Sequence, residues 1–360
     1  MMGKTMDKPL TSNGFLFGVL FFSTGFLGSW NERARASSEG SGSSLGQATE
    51  GDRPSLDTIL LNVDKSQLKA ELRTWPEKSD QSALLTTFKI AVGKADGDKE
   101  IEGDNRTPEG IYFVQNHIDG QTLPDKYGPL AIPIDFPNPI DRLFGKTGHG
   151  IWLHGVDREQ RIEEAKVTEG CVAFYNNDIK ILSNWLKSKQ AIVVIAKDQS
   201  GVNQPSDVEG VRQQTVDWIR AWGERDLKSY EAFYHKNFRF EKFDLKGYLD
   251  YKKRVFTSYE KMTVNHERLR VITHPKYAVS FFNQDFRGDQ RYISIGRKTL
   301  YWEKDPEGKW RIVREVFENQ RFEQLSIPDS ELASLADRKS SRGASETKAT
   351  PAGPTSSSNL

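Results

Sequence analysis

The stretch Gly150-Ile151-Trp152-Leu153-His154-Gly155 and, further along, Val167-Thr168-Glu169-Gly170-Cys171-Val172-Ala173-Phe174 hold the residues on which the reading of this sequence depends. Cys171 is the single cysteine of the 360-residue chain, and His154 precedes it by seventeen positions. A cysteine nucleophile needs a base to form thiolate near neutral pH, donors to hold an oxyanion, and a glycine that lets substrate approach the backbone. This segment can supply all three. Gly170 permits a tight turn that aims backbone N–H groups at a reacting carbonyl. On a strand, alternation puts Gly150, Trp152 and His154 on one face and His149, Ile151 and Leu153 on the other, so only one of the two histidines would face a cleft. Spacing alone leaves a plainer reading equally open, in which Cys171 is a buried small hydrophobe and His154 a satisfied core residue.

Outward from this stretch, the length favours two domains plus tails. Lys+Arg of 51 against Asp+Glu of 50 gives a net charge of +1, which offers no electrostatic case for a nucleic-acid partner. Eight Trp, eleven Tyr and twenty Phe supply ample apolar area, so wholesale disorder is excluded. A mean hydropathy of −0.64 still points to solvated tails. One cysteine rules out an intramolecular disulfide framework and any Cys-rich zinc or iron–sulfur site. With no H-E-x-x-H or similar ligand set, neither a metal nor an organic cofactor is expected.

The amino terminus carries Lys4 and Lys8, an apolar run from Phe15 to Trp30, and then Ala34-Arg35-Ala36. Residues 1–36 therefore read as a secretory signal or an uncleaved anchor, which would be the chain's one membrane contact and places the rest outside the cytoplasm. Residues 37–54 read as a flexible linker, in which Gly42-Ser43-Ser44-Leu45-Gly46 matches a nucleophile elbow without the strand and helix that motif requires. Strand signals at Thr58–Val63, Leu84–Val92, Ile111–Val114, Gly150–Leu153 and Ala191–Ala196, with a helix over Ile179–Leu186, define a mostly β domain at 55–198. A linker at 199–205 follows. Helical spacing of Val208, Val211, Trp218, Ile219 and Trp222, a helix near Tyr248–Tyr259 and strands at 278–282, 298–302 and 310–317 predict an α+β domain at 206–320. The tail, 321–360, is expected to be disordered.

His154-Gly155 and Thr168-x-Gly170-Cys171 resemble the His-Gly and [ST]-x-G-C signatures of L,D-transpeptidase (YkuD-like) catalytic domains, a family of bacterial peptidoglycan enzymes. Upstream, Gly93, Lys94, Gly97, Asp98, Lys99, then Gly103, Asp104, Arg106, Thr107, Pro108, Glu109, Gly110 and Tyr112 resemble the family's G-D-x-x-T-P-x-G-x-Y approach. The resemblance covers about residues 56–197. It implies a mostly β fold with the cysteine in a cleft, and a thiolate that attacks the acyl carbonyl of a diaminopimelate stem residue. By that resemblance Cys171 is the nucleophile, His154 the base and Gly155 the carbonyl that orients it, with the Gly170 and Cys171 amides as oxyanion hole.

One departure stands out. Family members commonly follow the cysteine with an apolar residue and Arg, whereas Val172 and Ala173 follow here. Substrate carboxylates would then be held by Lys99, Arg106 or Arg142, with Thr168 and Trp152 as further substrate contacts. Such Arg-less sequences look more like L,D-carboxypeptidases and protein-release enzymes than like the main crosslinkers. Trp218–Trp222, Asp226, Tyr230, Tyr234, Phe282, Gln284–Phe286 and Gly308–Val313 with Glu315 resemble nuclear transport factor 2-like domains, a cystatin-like α+β fold. In that domain His235, His266 and His274 read as surface residues, and Trp218, Tyr230, Phe282 and Tyr301 as core rather than glycan platform. The expected partners are a peptidoglycan stem peptide and glycan at the second domain.

Overall fold

The computed structural model describes residues 58–321 apart from 77, 78, 80, 187–190, 290 and 291. The expected signal or anchor (1–36), the linker (37–54) and residues 322–360 of the tail lie outside the described residues. All described residues belong to one compact unit, Ser55–Leu360. Among them no helix is long and apolar enough to cross a membrane.

The amino-terminal half is a curled sheet in the order β4-β10-β1-β2-β3-β9-β7-β6-β5, with β8 (Lys166–Thr168) pairing β3. Its strands are β1 (Thr58–Asp64), β2 (Lys69–Trp75), β3 (Ala83–Gly93), β4 (Gly110–Phe113), β5 (Ile118–Asp119), β6 (Leu130–Pro133), β7 (Trp152–His154), β9 (Val172–Phe174) and β10 (Ala191–Ala196). Three short helices join them: α1 (Pro139–Leu143), α2 (Gln160–Glu163) and α3 (Asn176–Trp185). Most pairs are antiparallel, but β1 with β10, β3 with β8 and β7 with β9 are parallel. Strand β10, Ala-Ile-Val-Val-Ile-Ala, is apolar at every position because both its faces are covered. Val193 and Ile195 enter the core of this half, while Ile192 and Val194 enter a second cluster with Ile272, Tyr277, Val279, Phe281 and Val313.

Those last five residues come from the carboxy-terminal half. It begins with α4 (Pro205–Glu224) and α5 (Leu227–Glu231), and continues through β11 (Arg239–Phe240), β12 (Phe243–Asp244) and α6 (Leu245–Ser258). An antiparallel sheet of β13 (Met262–Thr273), β14 (Ala278–Gly288), β15 (Tyr292–Lys304) and β16 (Trp310–Arg321) completes it. Trp218 and Trp222, one helical turn apart on α4, fill the space between α5 and the sheet: Trp218 stacks on Tyr230 of α5 at 5.5 Å and Trp222 on Phe286 of β14 at 5.6 Å.

The short strands β5, β6, β8, β9, β11 and β12 and the longer β2 and β13 are additions to the expected set. In β2 (Lys-Ala-Glu-Leu-Arg-Thr-Trp) small and charged residues dilute the apolar alternation, although Ala70 and Leu72 are fully buried. In β13 the first half is largely exposed and a bulge between Glu267 and Arg270 breaks the period. The histidine reading is corrected for two of three: His235 and His274 are buried, with the His274 Nε2–H donating to the Ile195 carbonyl at 3.2 Å. His266 is exposed.

Candidate active site

Parallel pairing of β7 with β9 sets Leu153 opposite Val172 and His154 opposite Ala173, so Cys171 enters β9 alongside Trp152. The thiol donates to the Gly150 carbonyl at 3.5 Å, and the Trp152 amide favours its ionised form. Burial nevertheless pushes the Cys171 thiol up to about 11. His154 Nδ1 is bonded to the Gly155 carbonyl. A carbonyl only accepts, so Nδ1 carries the proton and Nε2 is left as the basic nitrogen. Burial lowers His154 to about 4, and the Arg161 and Lys126 cations add to the effect. In the resting site both groups are therefore uncharged near neutral pH.

Two close approaches shape this part of the backbone. A Cβ on Gly155 would lie 2.4 Å from Asn176 Oδ1 and 2.6 Å from Pro129 Cδ, so only glycine fits. Asn176 uses its whole amide there: Oδ1 accepts from the Val156 amide at 2.9 Å and Nδ2 donates to the Val156 carbonyl at 3.0 Å. At the other turn, Gly170 adopts φ +128° with the Arg106 carbonyl 2.8 Å from where a Cβ would be. Thr168 Oγ1 donates to the Cys171 carbonyl at 2.7 Å and accepts from the Gly170 amide at 3.2 Å. Thr107, from the Thr-Pro-Glu-Gly segment, holds the same loop by donating to the Cys171 carbonyl at 3.4 Å while accepting from the Gly93 amide at 2.9 Å.

These contacts bear on two expectations. The Thr168 hydroxyl braces the cysteine turn through its bonds to backbone. Of the two amides expected to face an oxyanion, that of Gly170 is bonded to Thr168 Oγ1.

Cys171, His154, Trp152 and Thr168 line one cavity of about 470 Å³. Tyr127 lines it too, with its ring 4.9 Å from Trp152 and 5.0 Å from His154. His149 also lines the cavity, contrary to the alternation argument. The strand starts only at Trp152, and Gly150 has φ +71°, so residues 149–151 do not follow a strand's period.

The family model of the L,D-transpeptidase catalytic domain matches residues 62–195, a range that contains both His154 and Cys171. The model of the Cds6 C-terminal NTF2-like domain matches residues 210–316. The chain carries an L,D-transpeptidase catalytic domain followed by an NTF2-like domain. YafK of Escherichia coli (strain K12) is 31% identical over 122 residues, which are 34% of this chain and 44% of YafK. The chain thus matches less than half the length of that relative. The structure of Bd1075 from Bdellovibrio bacteriovorus superimposes with a TM-score of 0.64 at 27% identity, covering 73% of this chain and 93% of that one. Pgp2 from Campylobacter jejuni shares the fold, with a TM-score of 0.60 at 24% identity over 72% of this chain and 92% of its own.

The position where L,D-transpeptidases commonly carry Arg is closed here. Ala173 is fully buried in a small cluster with Ala91, Val156 and Ile162, so a longer side chain would have to displace that packing. Of the three cations expected to compensate, only Lys99 lines the cavity, and it is buried against Asp104 at 2.7 Å. Arg106 and Arg142 are not among the lining residues. The Arg106 guanidinium folds back over Gly97 and donates weakly to the Asp98 carbonyl at 3.5 Å, and Arg142 is exposed on α1.

Lys94, Lys126 and Arg161 were not anticipated and do line the cavity. Arg161 is aimed by Asp157, four residues earlier in the loop before α2, at 2.9 Å, and by the Val167 carbonyl at 3.3 Å. Lys126 faces Glu169 at 3.6 Å, and Lys94 has no acidic partner among the described residues. Periodicity could not have found them, because each lies in a loop or short helix that only the curl of the sheet brings to the cleft.

In the NTF2-like domain Trp218, Tyr230, Phe282 and Tyr301 are at most 2% exposed, so they are core. Its buried polar centre is Glu315, which accepts from Lys298 Nζ at 2.9 Å, from Tyr248 Oη at 3.1 Å and from Tyr234 Oη. Lys252 lies 4.0 Å above the Trp222 ring, and burial lowers it to about 7.

Proposed function

We propose that this protein is an exported, cysteine-dependent L,D-carboxypeptidase that trims tetrapeptide stems of peptidoglycan. The placement of Cys171 and His154 in one cavity, on paired strands and with His154 Nε2 unprotonated, carries this reading. As Cys171 Sγ bonds to the carbonyl carbon of the diaminopimelate residue, His154 Nε2 takes the thiol proton. The Cys171 amide faces the developing oxyanion, and collapse breaks the C–N bond to D-alanine, whose amine receives the proton from His154. Water then attacks the thioester, giving its proton to His154, and the thiol is restored as the tripeptide carboxylate leaves. Lys94, Lys126 and Arg161 are the cations suited to the carboxylates of diaminopimelate and D-alanine.

Water as acceptor is supported by the likeness of this chain to the Arg-less sequences, Ala173 being buried at the position where Arg is common. The site of action is the cell envelope, where trimming removes the donors of crosslinks and so bears on cell shape. A role for the NTF2-like domain in holding glycan belongs to the same proposal, and retention of the Cys171→Ala protein on isolated sacculi measures it. The deciding experiment incubates the mature protein with disaccharide tetrapeptide and reads product masses. Loss of one alanine supports trimming, and a dimer or an attached protein amine would redirect the reading to transpeptidation. Turnover unaltered in Cys171→Ala would overturn the thiol mechanism, and no turnover by wild type would leave a wall-binding scaffold.

A further inference from the structure

The turn between β13 and β14, His274-Pro275-Lys276-Tyr277, docks on the catalytic domain through three of its side chains. His274 donates to Ile195, and Tyr277 Oη accepts from the Ile111 amide at 2.6 Å and from Asn138 Nδ2 at 2.9 Å. Lys276 Nζ donates to Asp98 Oδ2 at 2.6 Å and to Glu109 Oε2 at 3.2 Å.

Asp98 joins both walls of the catalytic cavity. It lies in segment 94–107, from which Lys94, Lys99, Glu102, Gly103 and Asn105 line the cleft. Its Oδ1 accepts the Glu109 amide at 2.7 Å, and its Oδ2 also accepts Lys146 Nζ at 2.7 Å. Lys146 leads directly into residues 148–151, which line the cleft as well and include Gly150, the acceptor of the Cys171 thiol. Glu109 is shared with Lys65 at 3.0 Å, and Lys65 holds the Thr107 carbonyl at 2.8 Å. Lys146 is also paired with Asp141 at 3.0 Å.

The knot thus balances three carboxylates, Asp98, Glu109 and Asp141, with three ammonium groups, Lys65, Lys146 and Lys276. Without Lys276, three largely buried acids share two lysines. An unmatched buried charge is relieved by moving toward water, and Asp98 lies on the segment that forms the cavity wall.

We propose that Lys276 is a positioning residue: an ammonium group supplied by the NTF2-like domain that keeps segments 94–107 and 146–151 in register around the cavity. Only the kinetic arm of its test rests on the carboxypeptidase reading. The experiment compares full-length wild type, Lys276→Met and Lys276→Arg by hydrogen–deuterium exchange and by kinetics on disaccharide tetrapeptide. Lys276→Met is expected to speed amide exchange in 94–107 roughly tenfold and to raise KM about tenfold with kcat within about twofold, and Lys276→Arg to restore both. Exchange and KM unchanged in Lys276→Met would overturn the proposal. So would acceleration spread evenly over both domains with activity falling only with the folded fraction, since that describes simple docking. If wild type does not turn over the muropeptide, the exchange arm still decides the role of Lys276, and the failure falls on the proposed activity.

Discussion

Replacing Thr168 by Val tests the cysteine turn with almost no change of shape. Thr168 is 4% exposed, and its hydroxyl makes two hydrogen bonds, donating to the Cys171 carbonyl at 2.7 Å and accepting the Gly170 amide at 3.2 Å. Losing both costs about 1 kcal/mol each, and an orphaned buried Gly170 amide adds about 1 kcal/mol more, for a total near 3 kcal/mol. The Cys171 carbonyl keeps only the longer bond from Thr107 at 3.4 Å. For a unit of this size that loss corresponds to a fall in Tm of roughly 6–12 °C. Because the Gly170 turn sets the position of Cys171, the proposed nucleophile, kcat/KM is expected to fall at least about tenfold. Thr168→Ser keeps both bonds and gives up one methyl group, so it should cost about 1 kcal/mol and leave turnover nearly intact. Thermal melts and muropeptide kinetics on both variants decide the matter. Equal stability and equal turnover for Val and Ser would refute a brace at this position.

Two further expectations concern pH. Burial lowers His154 from 6.5 to about 4, so its folded form stays neutral while the unfolded chain binds a proton; activity should fall only near pH 4, with stability lost progressively from about pH 6.5 down to 4. A limb of the kcat/KM profile centred near 6.5 would show that His154 is not buried as described, and iodoacetamide labelling of Cys171 should keep rising toward pH 11 rather than level off near 9. Asp135, whose Oδ1 accepts the Phe113 amide at 2.7 Å, is pushed by burial from 3.8 to about 7. A carboxyl raised in this way favours the folded state below pH 3.8 and loses that contribution as pH rises through 7, so Asp135→Asn should gain about 4 kcal/mol over wild type at pH 8 and less than about 1 kcal/mol at pH 4. Urea melts at the two pH values read it, and an equal difference at both would mean that the charge of Asp135 is not at issue.

The strands rich in branched residues were legible because their burial is two-sided, as in β10, or because their alternation is clean. Strand β2 was not, since Lys69, Glu71 and Arg73 separate its buried Ala70 and Leu72. That Cys171 and His154 share one cavity could be expected because cysteine occurs once in the chain and its neighbours are glycine and threonine at fixed spacing. The cations could not: fifty-one Lys and Arg residues carry no mark that separates Arg161, in the cavity, from Arg142, on an exposed helix face.

By itself, then, the sequence determined the residue types available for chemistry and the local conformations that glycine, threonine and apolar runs impose, because those depend on a few neighbours along the chain. Only the tertiary structure decided what the chemistry faces. It spends the Gly170 amide on Thr168 and fills the place of the missing Arg with core. It also brings Lys94, Lys126 and Arg161 to the cleft and lets Lys276, more than a hundred residues beyond Cys171, hold the wall of the cavity. Charges act through space over a few ångströms, and distance along the chain says nothing about that.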